Sequence, residues 1–292
     1  MLLLTQINFK LNFKIYFILI YLMKGVLCMK FPKFLAALSL VCVTATGAMA
    51  HELTIKPKDF SNFKIKQGEA IEFTVQSAHK FIVPEEVEVL ERVKAGIVEN
   101  NNFKAAELKA NEKDLCIDFT VTPEDVSGAL VLTAIKDGEA WSVTNEGGKT
   151  GTRSELEAQG LKVLRTTKND KYAKAIFNAK HGDEKFKLIL NQPLEIIPLD
   201  NPADVKVGEY FNVKILLNGQ PYTGPVWATY DGFVTEYENT YAYYTEAENG
   251  EAHIKITTPG FWGVRAYQGD LPGKDGEYDA LTLRAFLLFE IK

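Results

Sequence analysis

Four histidines are the side chains of this chain best suited to holding a metal ion: His51, His79, His181 and His253. His51 follows directly on Ala48, Met49 and Ala50 in the stretch GAMAHELTIKP. A protease that cuts after Ala50 makes it the first residue. One residue then offers two metal-binding nitrogens, the ring and an α-amine whose reference pKa is about 7.7–8.0. In HELTI, Leu53 and Ile55 share a strand face, and His51 belongs to it by the two-residue period. In AIEFTVQSAHKF, Ile71, Phe73 and Val75 form the apolar face, and Ser77 and His79 continue it. If the two strands run antiparallel, His51 and His79 meet at one end, both leaning inward. The amine and two imidazoles make a T-shaped three-nitrogen set that suits Cu(II) or Ni(II). His253, in EAHIKI, is out of phase with Ala252, Ile254 and Ile256 and is expected to face solvent. His181, in NAKHGDE, is expected on an exposed turn. The expected ligands are therefore His51 and His79, around nickel or copper. A histidine left by chance at a cleavage point, beside one capping a strand end, explains the same residues without a metal.

The cleavage itself is legible. Residues 29–50 read MKFPKFLAALSLVCVTATGAMA. Lys30 and Lys33 form a basic start, residues 34–43 an apolar core, and Ala-Met-Ala a small-x-small cut site, the pattern of a secretory signal peptide. Residues 1–28 read as an over-long gene start; their apolar run, 15–23, is well short of the ~20 residues a membrane span needs. The mature chain is expected in the periplasm, without membrane insertion. Residues 1–50 hold five lysines and no acid, which leaves 28 basic and 38 acidic side chains and a net charge of −10. Nucleic acid and anionic lipid both call for positive charge, so neither is an expected partner. Cys116 is the one cysteine after Ala50, so no intramolecular disulfide forms; in LCIDFTV it is expected to pack as a small hydrophobe.

The elements that must position the histidines are strands. Short alternating runs of Val, Ile, Phe and Tyr, broken by Gly, Pro, Asn and Asp, dominate the chain. FKIKQGEAIEFTV (63–75) resembles DVKVGEYFNVKIL (204–216), and FTVTPEDVSGALVLTAIKDG (119–138) resembles IKITTPGFWGVRAYQGD (254–270). The matches come in the same order, offset by about 140 and about 132 residues, which marks a duplicated unit. The expected fold is all-β: two immunoglobulin-like β-sandwich domains in tandem, with little helix. The boundaries expected are 51–198, carrying a long insertion at 139–200, and 199–292, with the joint at Pro198–Pro202. The one helix is expected in SELEAQG, capped by Ser154 and stopped by Gly160.

Enzyme signatures are missing: there is no nucleophile elbow, HExxH, P-loop or dinucleotide fingerprint. A copper oxidase built on a histidine brace shares the His51 feature, and the tyrosines of TYDGFVTEYENTYAYYTE would give it an aromatic surface. A strand hairpin explains those tyrosines more simply.

Taken together, AHE, AHKF, YAKA, LEIIPLDNPADVKVGE, VWATYDGF, NGEAHIKITTPGFWGVRAYQ and LTLRAFLLFEI resemble a bacterial periplasmic domain-of-unknown-function family associated with nickel and cobalt uptake. Some of its members are NikK-like accessory components of energy-coupling-factor transporters. The resemblance spans essentially all of 51–292. It implies a β-rich two-domain fold and a periplasmic metal-binding accessory role. It also implies nickel or cobalt as cargo and an inner-membrane metal-uptake transporter as partner. The family's histidines map onto His51 and His79 only. Ala78 departs from the glycine usual there, and nothing carries over to His253. The competing reading is a non-metal periplasmic binding module made of immunoglobulin-like domains.

Intact-mass spectrometry of the secreted protein is expected to show a chain beginning at His51. A mature chain beginning elsewhere would remove the α-amine from any ligand set.

Overall fold

The computed structural model describes residues 51–60, 63–234 and 240–292. The signal-peptide and gene-start readings fall on 1–50, outside the described residues. Leu53 and Ile55 lie on β1 (Glu52–Pro57) and Phe73 and Val75 on β2 (Ile71–Ala78). The two strands pair antiparallel, with Glu52 opposite Ala78 and Ile55 opposite Val75. With β5 (Leu108–Asn111) and β6 (Cys116–Val121) they form a sheet of order β1-β2-β6-β5. A second small sheet joins β11 (Leu194–Pro198), β12 (Tyr210–Leu217), β13 (Gln220–Pro221) and β16 (Glu251–Lys255), with β12 between β11 and β16.

Both small sheets pack on one long sheet. It contains β3 (Val93–Glu99), β4 (Asn102–Ala105), β7 (Leu130–Lys136), β10 (Val163–Phe177), β14 (Gly224–Tyr230), β15 (Tyr243–Ala247), β17 (Gly260–Lys274) and β18 (Tyr278–Ile291). The order is β15-β14-β17-β18-β10-β7-β3-β4. A hairpin of β8 (Ala140–Thr144) and β9 (Gly147–Thr150) pairs with the start of β10. The molecule is thus two immunoglobulin-like β-sandwiches that share a continuous sheet. β10 and β18, at its centre, run parallel; the other strand pairs described are antiparallel. On β10, Ala173, Ala175 and Phe177 enter the first core, and Tyr172 and Ile176 enter the second. The two small sheets therefore lie on opposite faces of the long one.

The strand order is the same on both sides of that centre, which carries the duplication into three dimensions. β1, β2, β6, β7 and β10 of the first sandwich match β11, β12, β16, β17 and β18 of the second. The Gly-Glu turns match as well. Gly68 N–H donates to the Pro123 carbonyl and Gly208 N–H to that of Ile256; both glycines have positive φ, 72° and 96°, a conformation that suits glycine. Ala173 faces Ala134 across the β10–β7 pair, and Ala285 faces Ala266 across the β18–β17 pair.

Three sequence expectations change. The helix α1 (Arg153–Ala158) is capped by Thr152 rather than Ser154. Thr152 accepts from the Glu155 N–H while the Glu155 carboxylate accepts from the Thr152 N–H, a Thr-x-x-Glu capping box. The 139–200 stretch is more than an excursion, because it supplies β10, the strand on which both cores meet. β11 already belongs to the second sandwich, so the chain crosses over within 178–193, upstream of Pro198–Pro202.

Three ion pairs, two of them sharing Glu52, tie each sandwich to the other. Glu52 on β1 meets Arg284 on β18 at 2.6 Å and Arg265 on β17 at 2.7 Å. Lys174 on β10 meets Glu195 on β11 at 2.6 Å, with side chains 3% and 1% exposed. Removing one partner of such a pair strands the other charge. Lys174→Met is expected to cost about 3–5 kcal/mol in chemical denaturation, and Lys174→Met with Glu195→Gln to recover most of it.

Candidate metal site

The β1–β2 register sets His51 beside His79, one residue beyond the paired Glu52 and Ala78. Their ring centroids are 4.0 Å apart and the rings are tilted by 52°. The side chains stay partly open, at 21% and 15% exposure. The two histidines therefore sit at the rim of the first sandwich, where an ion could enter and leave.

The turn after β2 closes the site. Lys80 and Val83 form an isolated bridge, so the chain turns back sharply through Phe81 and Ile82. Ile82 has φ 53°, a left-handed conformation that a β-branched residue rarely adopts. Glu85 N–H donates to the Ser77 carbonyl, and Ser77 bridges to Glu86. The turn thus returns two carboxylates to the histidines. Glu85 Oε2 lies 2.8 Å from His79 Nδ1 and 3.2 Å from His51 Nε2. Glu86 Oε1 lies 2.7 Å from His51 Nδ1.

One ligand atom each from His51, His79 and Glu85 falls within 4.8 Å of the others, a spacing that can hold one ion. Burial pushes the Glu85 carboxyl up, but the hydrogen bonds and charge of His79 outweigh this and hold it below the usual carboxylate range. Glu86 is also held low, first by its hydrogen bond to His51, against burial. The two acids have different parts. Glu85 faces both rings and can coordinate; Glu86 takes the far nitrogen of His51, the outer carboxylate that orients many metal-bound histidines. To the two imidazoles expected from the sequence the structure adds a carboxylate, that of Glu85. The missed residues had one signal, the acid pair behind Pro84 in FIVPEEVEV.

Behind Glu86 a charged cluster runs inward. Ser77 Oγ is 3.3 Å from Glu86 Oε1 and donates at 2.7 Å to Glu88 Oε1. Lys171 on β10 reaches Glu88 Oε1 at 3.0 Å, and Lys136 on β7 bonds its other oxygen. Lys171 and Lys136 are cross-strand neighbours, so Glu88 also separates two like charges. In the second repeat the equivalents of Ser77 and Lys171 are Leu217 and Leu283. Leu217 lies opposite Leu194 as Ser77 lies opposite Leu53, and Leu283 precedes Ala285 as Lys171 precedes Ala173.

His253 and His181 lie apart from the cluster. His253 shares a hydrogen bond with Asn212, across the β16–β12 pair. His181 is 93% exposed, and its bond to Asp204 raises its pKa. Cys116 is buried, where burial first and then Asp118 push its thiol up to about 12, so it is inert.

A family model described as "Domain of unknown function (DUF4198)" matches residues 48–270. No curated protein matches the sequence. Among solved structures, "Titin Ig tandem domains A164-A165" is similar at 14% identity, covering 83% of this chain and 94% of that one. Its TM-score is 0.15, so the fold assignment rests on the sheet order alone. Among the described residues no helix is long and apolar enough to cross a membrane.

Burial raises the Glu88 carboxyl, but the charges of Lys171 and Lys136 and two hydrogen bonds bring it down to about 2 from 4.5. A carboxyl lowered on folding adds stability above its unfolded value and loses it as pH falls through its folded one. Urea midpoints are expected to drop as pH falls from 4.5 to about 2. Glu88→Gln is expected to flatten that part of the profile.

Proposed function

This chain belongs to the DUF4198 family, and we propose that it is a secreted, periplasmic protein that carries a divalent transition-metal ion at His51, His79 and Glu85. The observation that carries the reading is the convergence of three ligand atoms within 4.8 Å on elements that the fold would close without them. Two imidazoles and a carboxylate suit nickel, cobalt, copper or zinc. Cleavage after Ala50 would add the α-amine of His51, and a third nitrogen favours copper and nickel. By the Irving–Williams order copper binds any such set more tightly than nickel, so a nickel role depends on supply or on a partner. The partial exposure of all three side chains favours loading and release over a permanent structural ion, whose site is normally closed. Such a carrier fits a place beside an inner-membrane metal-uptake transporter, with the ion as cargo and no reaction of its own. The net charge of −10 after Ala50 favours cations in the same way.

Calorimetric titration of the processed protein with nickel, cobalt and copper tests this. His79→Ala and Glu85→Ala are each expected to weaken binding by more than about 100-fold, beyond the 10–100-fold typical of outer residues. Affinity is expected to fall with pH, because protons compete for the imidazoles. One extra residue before His51 keeps every side chain and moves the amine, so any loss it causes measures the amine alone. Unchanged binding in all three variants would place the ion elsewhere.

A further inference from the structure

We infer that Lys171, acting through Ser77 and Glu88, is a positioning residue that fixes the ring of His51 for metal; this rests on reading His51, His79 and Glu85 as the ligand set. The path is continuous. Lys171 Nζ lies 3.0 Å from Glu88 Oε1 and 3.5 Å from Ser77 Oγ. Ser77 Oγ holds Glu88 Oε1 at 2.7 Å and stands 3.3 Å from Glu86 Oε1. That same Glu86 oxygen meets His51 Nδ1 at 2.7 Å.

Each step restricts the next. Lys171 and Lys136 clamp the two oxygens of Glu88, so Glu88 cannot rotate. Glu88 and Lys171 set the orientation of the Ser77 hydroxyl, whose proton is placed between two carboxylates. Ser77 and the Ser77–Glu86 backbone bridge then hold the Glu86 oxygen at His51 Nδ1. A neutral imidazole donates from one nitrogen and offers a lone pair on the other. An acceptor fixed at Nδ1 holds a proton there, so Nε2, which faces Glu85 Oε2 at 3.2 Å, is the nitrogen that gives up its proton and offers its lone pair when an ion binds.

The second repeat shows that the fold does not require this polarity. Leu217 and Leu283 occupy the equivalent positions, Leu283 fully buried, and that sandwich has the same strand order. A lysine with only 3% of its side chain exposed, and lowered in pKa by burial, is a costly substitute for a leucine. What it has that leucine lacks is a charge aimed at the carboxylates behind His51.

The test uses the full processed chain. Side-chain nitrogen NMR of the zinc-loaded protein, zinc being diamagnetic, reads which His51 nitrogen keeps its proton. Nickel calorimetry on metal-free samples of the same proteins reads affinity. The wild type is expected to hold one tautomer, protonated at Nδ1. Ser77→Ala and Lys171→Leu are expected to show both tautomers and to lose about 10–100-fold in nickel affinity. Lys171→Arg is expected to retain the single tautomer. Ser77→Ala keeps the test alive if Lys171→Leu fails to fold. Folded variants with an unchanged tautomer and affinity within about twofold would overturn the positioning role and leave the metal site standing. A wild type that binds neither nickel, cobalt nor copper would overturn both.

Discussion

The parallel pairing of β10 with β18 is the constraint on which the architecture depends. Each strand is the last of its repeat, and each would otherwise be a free edge offering unpaired N–H and C=O groups. Joining them merges two half-sheets into one and leaves each small sheet a face of its own. The residues of β10 that point one way build the first core, and those that point the other way help to build the second. The buried pairs Glu52–Arg284 and Lys174–Glu195 cross this seam, so charge as well as hydrogen bonding locks the halves together.

The site sits at the margin of that frame, and its chemistry depends on how one strand end is handled. β12 ends at Leu217 and turns at once through Asn218 and Gly219, both in the left-handed region. β2 ends at Ala78 instead, and the chain continues through His79 and returns through a turn that holds Ile82 in the same region. Isoleucine carries a steric penalty there of the kind that clusters at functional sites. The result is a second pass of chain carrying Glu85, Glu86 and Glu88 past the histidines. Two lysines from the long sheet then compensate the acids, and the cluster as a whole remains satisfied at the sandwich rim.

Much of the frame is readable from sequence. Alternation in 52–57 and 71–78 identifies two strands with one buried face, and parity alone places His51 opposite His79. The repeated Gly-Glu turns identify the duplication because a positive-φ glycine leaves a fixed mark. Thr152 escapes because Ser154 is the more obvious cap until the Glu155 partner is considered. Glu85 and Glu86 escape for a deeper reason. They reach the histidines through a turn whose central residue is isoleucine, and no turn propensity points to isoleucine with positive φ. The role of β10 escapes because half of VLRTTKNDKYAKAIF is polar, and a strand with a buried lysine on each face does not alternate in hydrophobicity.

The seam also carries a one-residue stagger: Ala173 lies beside Phe286, whereas its counterpart in the other repeat is Ala285. Parallel neighbours point the same way, so this offset by one is what turns equivalent residues to opposite faces. The relation is close to a two-fold axis lying in the sheet along its strands. Two separate copies of one repeat could pair through the same edge as a symmetric dimer, and any change in one would then be copied in the other. A single chain is released from that rule. It can place histidines at 51 and 79 and leave glutamine and glycine at 192 and 219, so that one half specialises while its twin supplies the support.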